Sequence, residues 1–373
     1  MSGPRPLGDL FGGFADDSPG ATAAPDPANL ACPAPIPERA RVLLGHGSGG
    51  QLSASLMREV IGPALAGASP GGPLNDAAVV EVAGGRLAFT TDSFVVSPLE
   101  FPGGDIGELA VNGTVNDLAM MGAQPLALSL AYVIEEGLPI DDLRRVTESV
   151  ARAANRAGVR IVTGDTKVVG RGAADGLFVN TAGIGLVAPG VAVGADRAAV
   201  GDSVILSGPI GLHGVAIMSI REGLGFEVEI ASDTQPLNEL VAVIVAACPD
   251  VRVLRDPTRG GLASALNEIA AASAVGIELR EETIPIPGPV RAACEMLGLD
   301  PLHVANEGKL VAVVPATSVE VVLAAMRAVP AGAEAVEIGR VVADHATMVT
   351  MRTIVGSQRI VDMLVGEQLP RIC

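Results

Sequence analysis

The chain has 373 residues, 49% of them hydrophobic and only 2% aromatic, and a formal net charge of −17. That length holds about two domains. The acidic balance excludes a nucleic-acid partner, whose phosphates demand a basic face, and argues against docking on anionic membrane. Nucleotides stay open, because acidic side chains hold the divalent cation that accompanies a triphosphate. The four cysteines, Cys32, Cys248, Cys294 and Cys373, form no CxxC pair, so neither a zinc site nor a dense disulfide framework is expected. No basic-then-apolar leader is visible, and the longest apolar stretches, such as 240–248, fall far short of a bilayer span. The expectation is a soluble protein of the reducing cytoplasm.

Residues 1–36 are rich in Pro, Ala, Gly and Asp and read as a flexible extension. Order is expected from about residue 41. In a first half, 41–190, periodicity predicts strands at 77–82, 87–91, 126–134 and 177–187 and helices at 52–61, 105–121 and 141–157. A break near 190–201 separates a second half, 200–352. Its predicted strands are 204–207, 251–254, 276–279 and 309–314, and its predicted helices 213–222, 237–247, 261–272 and 319–328. Residues 353–373 read as a mobile tail. Two halves that both mix strands and helices define an α/β or α+β architecture.

Several motifs carry possible chemistry. Gly45-His46-Gly47-Ser48-Gly49-Gly50 precedes a helix and reads either as a phosphate cradle or as a plain flexible loop. Asp76 precedes a strand, Asp92 and Asp165 read as strand ends, and Asp117 follows Asn116. Carboxylates at strand ends gather at one sheet edge, where they either cap structure or hold a cation such as the Mg²⁺ of a triphosphate. Asn112 and Asn116 lie one helical turn apart with Gly113 between them, a sign of close approach by a ligand or of tight packing. Asp256-Pro257-Thr258-Arg259-Gly260-Gly261 is a turn feeding a helix, with Arg259 placed to grip phosphate. In that helix Leu262, Leu266 and Ile269 form the apolar stripe, which puts Glu268 on the opposite side as a solvated residue. His303 and Glu307 stand at i,i+4 before a strand, and the chain closes on Pro370-Arg371-Ile372-Cys373. A thiol on a short extended arm is either an accidental surface cysteine or a carrier that visits one site and presents its cargo at another.

Taken together, residues 41–373 resemble the HypE family, the carbamoyl dehydratases of nickel–iron hydrogenase maturation. The likeness rests on 45–50, 90–93, 102–106, 113–122, 162–169, 255–262, 267–270 and the Pro-Arg-Ile-Cys end. The central motifs are shared with aminoimidazole ribonucleotide synthetase and selenophosphate synthetase. The resemblance implies a two-domain fold whose first half dimerises through a β-barrel-like sheet and binds ATP with Mg²⁺. It implies a HypF-like carbamoyltransferase that loads Cys373 as an S-carboxamide, dehydration to a thiocyanate, and a HypC–HypD-like iron scaffold that accepts the cyanide. By the same resemblance Asp76, Asp92, Asp117 and Asp165 hold metal and nucleotide, with Gly49, Gly50, Asn116 and Arg259 in the nucleotide site. Lys167 falls near the phosphates or the carboxamide. Glu307 is the first choice of base, with His213 and Glu268 behind it. Asn75 stands where relatives often carry a second acidic residue beside Asp76.

The chemistry fits these residues. An amide oxygen leaves poorly and a phosphate on it leaves readily, so dehydration needs ATP; phosphoryl transfer itself is mostly positioning and charge stabilisation. Removal of the N–H protons needs a base, and a shielded carboxylate serves. Two rivals remain: another ATP-dependent synthetase of the same fold, acting on a ribonucleotide or selenide, and a non-enzymatic carrier. A selenide enzyme is expected to carry a cysteine near the glycine-rich loop, where this chain has none, and a carrier has no use for an acidic cluster.

Overall fold

A computed structural model of the chain describes residues 41–65, 68, 74–223, 230–364 and 371–373; the expected extension at 1–36 lies outside them. Arg39–Cys373 forms one compact unit. Two short helices, α1 (Gln51–Leu56) and α2 (Gly62–Leu65), flank a π-helical turn where one continuous helix was expected over 52–61. There follow β1 (Ala78–Val82), β2 (Gly85–Phe94), the short pair β3 (Glu100–Phe101) and β4 (Gly104–Asp105), α3 (Ile106–Met120), β5 (Ala123–Glu135), α4 (Ile140–Ala157), β6 (Arg160–Val169) and β7 (Leu177–Val187). The second half comprises β8 (Ser203–Leu206), α5 (Leu212–Arg221), α6 (Asn238–Ala247), β9 (Val253–Arg255), α7 (Gly261–Ser273), β10 (Gly276–Arg280), α8 (Gly288–Leu297), β11 (Val311–Val314), α9 (Val319–Arg327), β12 (Val336–Val342), β13 (Val349–Arg352) and β14 (Gln358–Val361).

In the first half, five strands form an open sheet in the order β1-β2-β7-β5-β6. Only β5 and β6 run parallel, which requires a crossover, and α4 supplies it. β7 alternates buried and accessible residues along its length, the signature of a strand with one covered face. Helices α3 and α4 cover that face, with Val111, Val115, Leu118, Val150 and Ala153 in its core. The other face is bare and apolar: Val80, Val82, Phe89, Ile184 and Leu186 are exposed. The expected barrel is therefore not closed within one chain.

Helix α3 is the pivot of the molecule. Asp105 caps it, its Oδ1 accepting hydrogen bonds from Gly107 N at 2.7 Å and Glu108 N at 3.0 Å. Of its fifteen residues all but Glu108 and Asp117 are buried, so its polar groups must find partners inside the protein. Thr114 Oγ1 pairs with Thr181 Oγ1 of β7, and both asparagine amides donate to the second half. Asn112 Nδ2 donates to Thr234 Oγ1 at 3.2 Å and Asn116 Nδ2 to the Gln235 carbonyl at 3.1 Å. Asn116 Oδ1 in turn accepts from Leu237 N at 2.7 Å. The paired amides are thus a brace between the two halves.

The second sheet has seven strands in the order β14-β13-β10-β12-β8-β11-β9. The apolar stripe of α7 (Leu262, Leu266, Ile269) packs on one face, and Leu240, Ile244, Val322 and Met326 of α6 and α9 pack on the other. Helix α8 and strands β12 to β14 were not anticipated. Strand β14, paired antiparallel with β13, falls in the span 353–373 that was expected to be mobile throughout.

Candidate active site

A cleft of about 230 Å³ opens where the two halves meet. The first half contributes Asp76, Thr90, Asp92 and Asp117, the second Arg255, Asp256, Arg259 and Glu307, and the end of the chain contributes Cys373. An adjoining pocket of about 120 Å³ is lined by Gly49, Ser264 and Glu268 together with Asp76, Arg255, Asp256 and Arg259.

Asp76, Asp117 and Asp256 place one carboxylate oxygen each within 4.8 Å of one another. Asp76 sits in the turn before β1, Asp117 on α3 one turn beyond Gly113, which also lines the cleft, and Asp256 just past the end of β9. Thr90 Oγ1 lies 2.8 Å from Asp117 Oδ2 and 3.0 Å from the Asp76 carbonyl, fixing the first two against each other. Three carboxyls in a desolvated site resist ionisation. Burial raises all three pKa values, and repulsion from neighbouring carboxylates adds to it at Asp117 and at Asp256, which is taken up to about 8. Arg255 partly offsets this from Asp76 at 3.2 Å, and it is itself held by an ion pair with Glu268. Oxygen donors crowded in this way fit a hard divalent cation.

Glu307 is 3% exposed, and its Oε1 has no hydrogen-bond partner. Its backbone is pinned: Glu307 N donates to Asp233 Oδ1 at 3.0 Å, and its carbonyl accepts from Asn116 Nδ2 at 3.4 Å. Burial first, then Asp256, Asp92 and Asp233, hold its carboxyl well above the ordinary carboxylate range. The Cys373 thiol is also pushed far up, by burial and then by Glu307 and Asp92 against the pull of Arg259. The sulfur that rests in this cleft is therefore a neutral thiol.

Four expectations need correction. Asp165 and Lys167 are exposed and pair with each other at 2.6 Å. Along the sheet Asp165 stands opposite Ala131, Ala131 opposite Asn180, and Asn180 opposite Ser93. Side chains alternate along a strand, so Asp165 shares the bare face with Ser93, whereas Asp92 points into the cleft. Within one chain neither Asp165 nor Lys167 reaches the acidic cluster. Asn116 is the brace described above and does not line the cleft. His213 is buried with both ring nitrogens engaged, Nδ1 with Ser232 Oγ at 2.8 Å and Nε2 with the Ile372 carbonyl at 2.6 Å, so no lone pair faces a substrate. In the glycine-rich loop, expected as a phosphate cradle, three amides are engaged internally: His46 N with the Leu43 carbonyl at 3.0 Å, Ser48 N with the Gly45 carbonyl at 3.4 Å and Gly49 N with Ser53 Oγ at 3.0 Å.

Gly49 and Gly50 of that loop have a packing reason. A Cβ on Gly49, whose φ is +77°, would lie 2.7 Å from Arg259 Cβ, and one on Gly50 would lie 2.4 Å from the Leu364 carbonyl. Gly49 still lines the smaller pocket; Gly50 does not. Glu268 lines the smaller pocket and orients Arg255, which places it apart from Cys373. Asn75 turns away, its Oδ1 accepting from Ala195 N at 2.9 Å. Asp92 lines the cleft without joining the set of three. Asp256 was missed as a ligand because the Pro257–Arg259 turn drew the reading toward phosphate. Its position at a strand end was the signal that would have found it.

The residues 74–187 match the family model "AIR synthase related protein, N-terminal domain", and 199–352 match "AIR synthase related protein, C-terminal domain". The two-part fold is that of this class. Within it, the chain is 56% identical over 328 residues to the carbamoyl dehydratase HypE of Azotobacter vinelandii, covering 88% of this chain and 96% of that protein. A solved structure of the hydrogenase maturation protein HypE in complex with ATP matches with a TM-score of 0.75 at 46% identity, over 89% of this chain and all of that one. A HypE–HypF complex matches with a TM-score of 0.77 at 47% identity, over 82% and 100% of the two chains. The chain belongs to the HypE family of carbamoyl dehydratases.

Proposed function

We propose that this chain is an ATP-dependent carbamoyl dehydratase of hydrogenase maturation whose substrate is carried on its own Cys373. The observation that carries the reading is the placement of Cys373 in one cleft with a buried carboxyl, Glu307, and a three-carboxylate cluster. The reaction converts an S-carboxamide into an S-thiocyanate. The carboxamide oxygen leaves as phosphate, two protons leave the nitrogen, and a carbon–nitrogen triple bond forms. ATP supplies the phosphoryl group that turns a poor leaving group into a good one.

The chain's own residues do the rest. Asp76, Asp117 and Asp256 would hold Mg²⁺, whose charge offsets that of the phosphates. Arg259 provides a fixed positive charge beside Cys373, suited to the oxygen that acquires phosphate. Glu307, with an unpartnered oxygen and a raised proton affinity, takes the N–H protons. Regions 41–190 and 200–352 are read as two domains that share this chemistry.

A HypF-like carbamoyltransferase loads the thiol. Because the docked thiol is held neutral, and the thiolate is the nucleophile, loading takes place with the tail out of the cleft. A HypC–HypD-like iron scaffold then accepts the cyanide. Two copies of the chain meet through the bare face of the five-stranded sheet, where Phe89 is 49% exposed beside Ile184 and Leu186. Asp165 and Lys167 lie on that same face. No helix among the described residues is long and apolar enough to cross a membrane. The need for ATP and a free thiol supports a cytoplasmic setting. The test is intact-mass analysis of the carbamoylated chain before and after Mg·ATP. Loss of one water from the Cys373 peptide is the expected result; ATP hydrolysis without that loss overturns the reading in favour of a synthetase.

A further inference from the structure

The last three residues are held by a socket that the chemistry above does not use. A main-chain oxygen of each is taken, the two peptide carbonyls of Arg371 and Ile372 and one terminal oxygen of Cys373. The Arg371 carbonyl accepts from the Arg221 guanidinium and from Ser97 N at 3.3 Å, the Ile372 carbonyl from His213 Nε2, and the main-chain O of Cys373 from Val95 N at 3.1 Å. Two of these are backbone pairings with the segment 95–97, alongside which the tail lies. The other two come from α5, whose His213 and Arg221 stand at its two ends.

Each α5 donor is itself prepared for the task. With Nε2 donating to a carbonyl, the neutral ring leaves Nδ1 to accept from Ser232 Oγ, and Ser232 Oγ also accepts from Thr234 N at 3.1 Å. The Phe101 ring meets the imidazole edge to face, centroids 5.5 Å apart, which fixes its plane. Arg221 Nε donates to the Ser97 carbonyl at 2.5 Å, so one guanidinium joins the tail to the segment it pairs with. Ile372 is 3% exposed and packs in the cluster that contains Phe94, Val96, Val215 and Val290. Outside, Arg371 forms an ion pair with Asp175.

We propose that His213 and Arg221 are positioning residues, a latch on α5 that seats Cys373 in the cleft by gripping main-chain carbonyls. The inference rests on the dehydratase reading for its purpose, although the latch is testable without it. Main-chain recognition has a chemical consequence: the grip touches nothing on the sulfur. Thiol, carboxamide and thiocyanate are seated equally, and tail identity is read by the Ile372 side chain. Release is then governed by the socket and by the partner that draws the tail out, not by the reaction.

The test uses the full chain and two readouts. The first is the rate of iodoacetamide labelling of Cys373, read by peptide mapping so that the other cysteines do not contribute. The second is the single-turnover rate of dehydration in carbamoylated protein, with the half-saturating ATP concentration. Arg221→Ala and His213→Ala are expected to raise labelling and lower the dehydration rate, each roughly tenfold for the loss of a well-placed hydrogen bond. ATP half-saturation stays unchanged. Arg221→Lys and His213→Gln, which keep a donor, recover a substantial part. Labelling unchanged in folded Arg221→Ala and His213→Gln,Arg221→Ala proteins overturns the latch. Faster labelling with no dehydration even in the parent chain supports the latch and sinks the dehydratase reading instead.

Discussion

Glu307 and Cys373 line the same cleft, and the carboxyl makes the thiol harder to ionise than burial alone does. A base placed beside a docked sulfur is useless for activating that sulfur and well placed for protons on a group attached to it. The pairing therefore favours chemistry on a loaded tail over chemistry on a free one.

Glu307→Gln keeps the shape of the site and removes the base. Dehydration is expected to fall by about 10²–10⁴-fold, with ATP binding retained. In the parent chain the rate rises with pH until Glu307 is ionised, because its carboxyl is held well above the usual range. In the Gln variant that rise disappears. Single-turnover mass measurements across pH check both points, and a Gln variant with parental rate and profile removes Glu307 from the role.

Asp117→Ala is expected to abolish Mg·ATP turnover while leaving Cys373 open to carbamoylation, since loading happens outside the cleft. Asp256→Asn should do the same and should also raise the melting temperature of the metal-free chain, because it relieves one repulsion among three buried carboxyls. A gain of about 1 kcal/mol would appear as roughly 1–2 °C in a chain of this size. Calorimetric titration with Mg·ATP and thermal melts decide it; wild-type ATP turnover in either variant excludes the cluster as the metal site.

The stability of the metal-free chain should fall as pH rises through the neutral range. A carboxyl with a raised native pKa makes the folded state bind more protons than the unfolded one, so its contribution is full below the unfolded pKa and is lost as pH climbs through the folded value. For Asp256 the window runs from 3.8 to about 8, and Asp76, Asp117 and Glu307 shift in the same direction. Mg²⁺ favours the ionised forms and should flatten the slope. Melts from about pH 6 to about pH 8, with and without Mg²⁺, test the sign; a metal-free chain that grows more stable with pH contradicts it.

Phe89→Asp and Ile184→Asp place charge at the centre of the bare sheet face, where the two residues stand opposite each other. Sedimentation velocity is expected to show a shift from dimer to monomer, with each chain still folded. A parental chain that is monomeric at working concentration would reject the assembly.

Much of this was legible in sequence where one local signal settles an element. Asp105 marks the start of α3 by capping it, and the helix was expected within one residue at each end. Asp76, Asp92 and Asp117 were placed together because each stands at or near an element end. Asp165 shows where such reasoning stops: its strand was recognisable, but which of two faces it points to depends on pairing with β5, β7 and β2, a long-range property. Parity along a strand is visible in sequence; its sign is not. Glu268 was expected in solvent from helix periodicity, and it sits beside Arg255 because a second pocket opens on that side of α7. His213 looked like a base among others, since nothing local announces that a carbonyl 159 residues away occupies its Nε2. Helix α8 opens with Gly288-Pro289, which reads as a turn until Val290 and Ala293 are seen to pack on the cluster that holds Ile372.

The seated tail changes the kinetic order of the problem. A substrate joined to its own enzyme has no bulk concentration, so each encounter is a first-order event set by the tether and not by how much protein the cell makes. Diluting such a protein slows its loading and its unloading, which need other molecules, and leaves the dehydration itself untouched. The brace of Asn112 and Asn116 across the two halves keeps the cleft built while the chain end is away. A cell holding few copies of this chain would therefore finish each cyanide as quickly as a cell holding many.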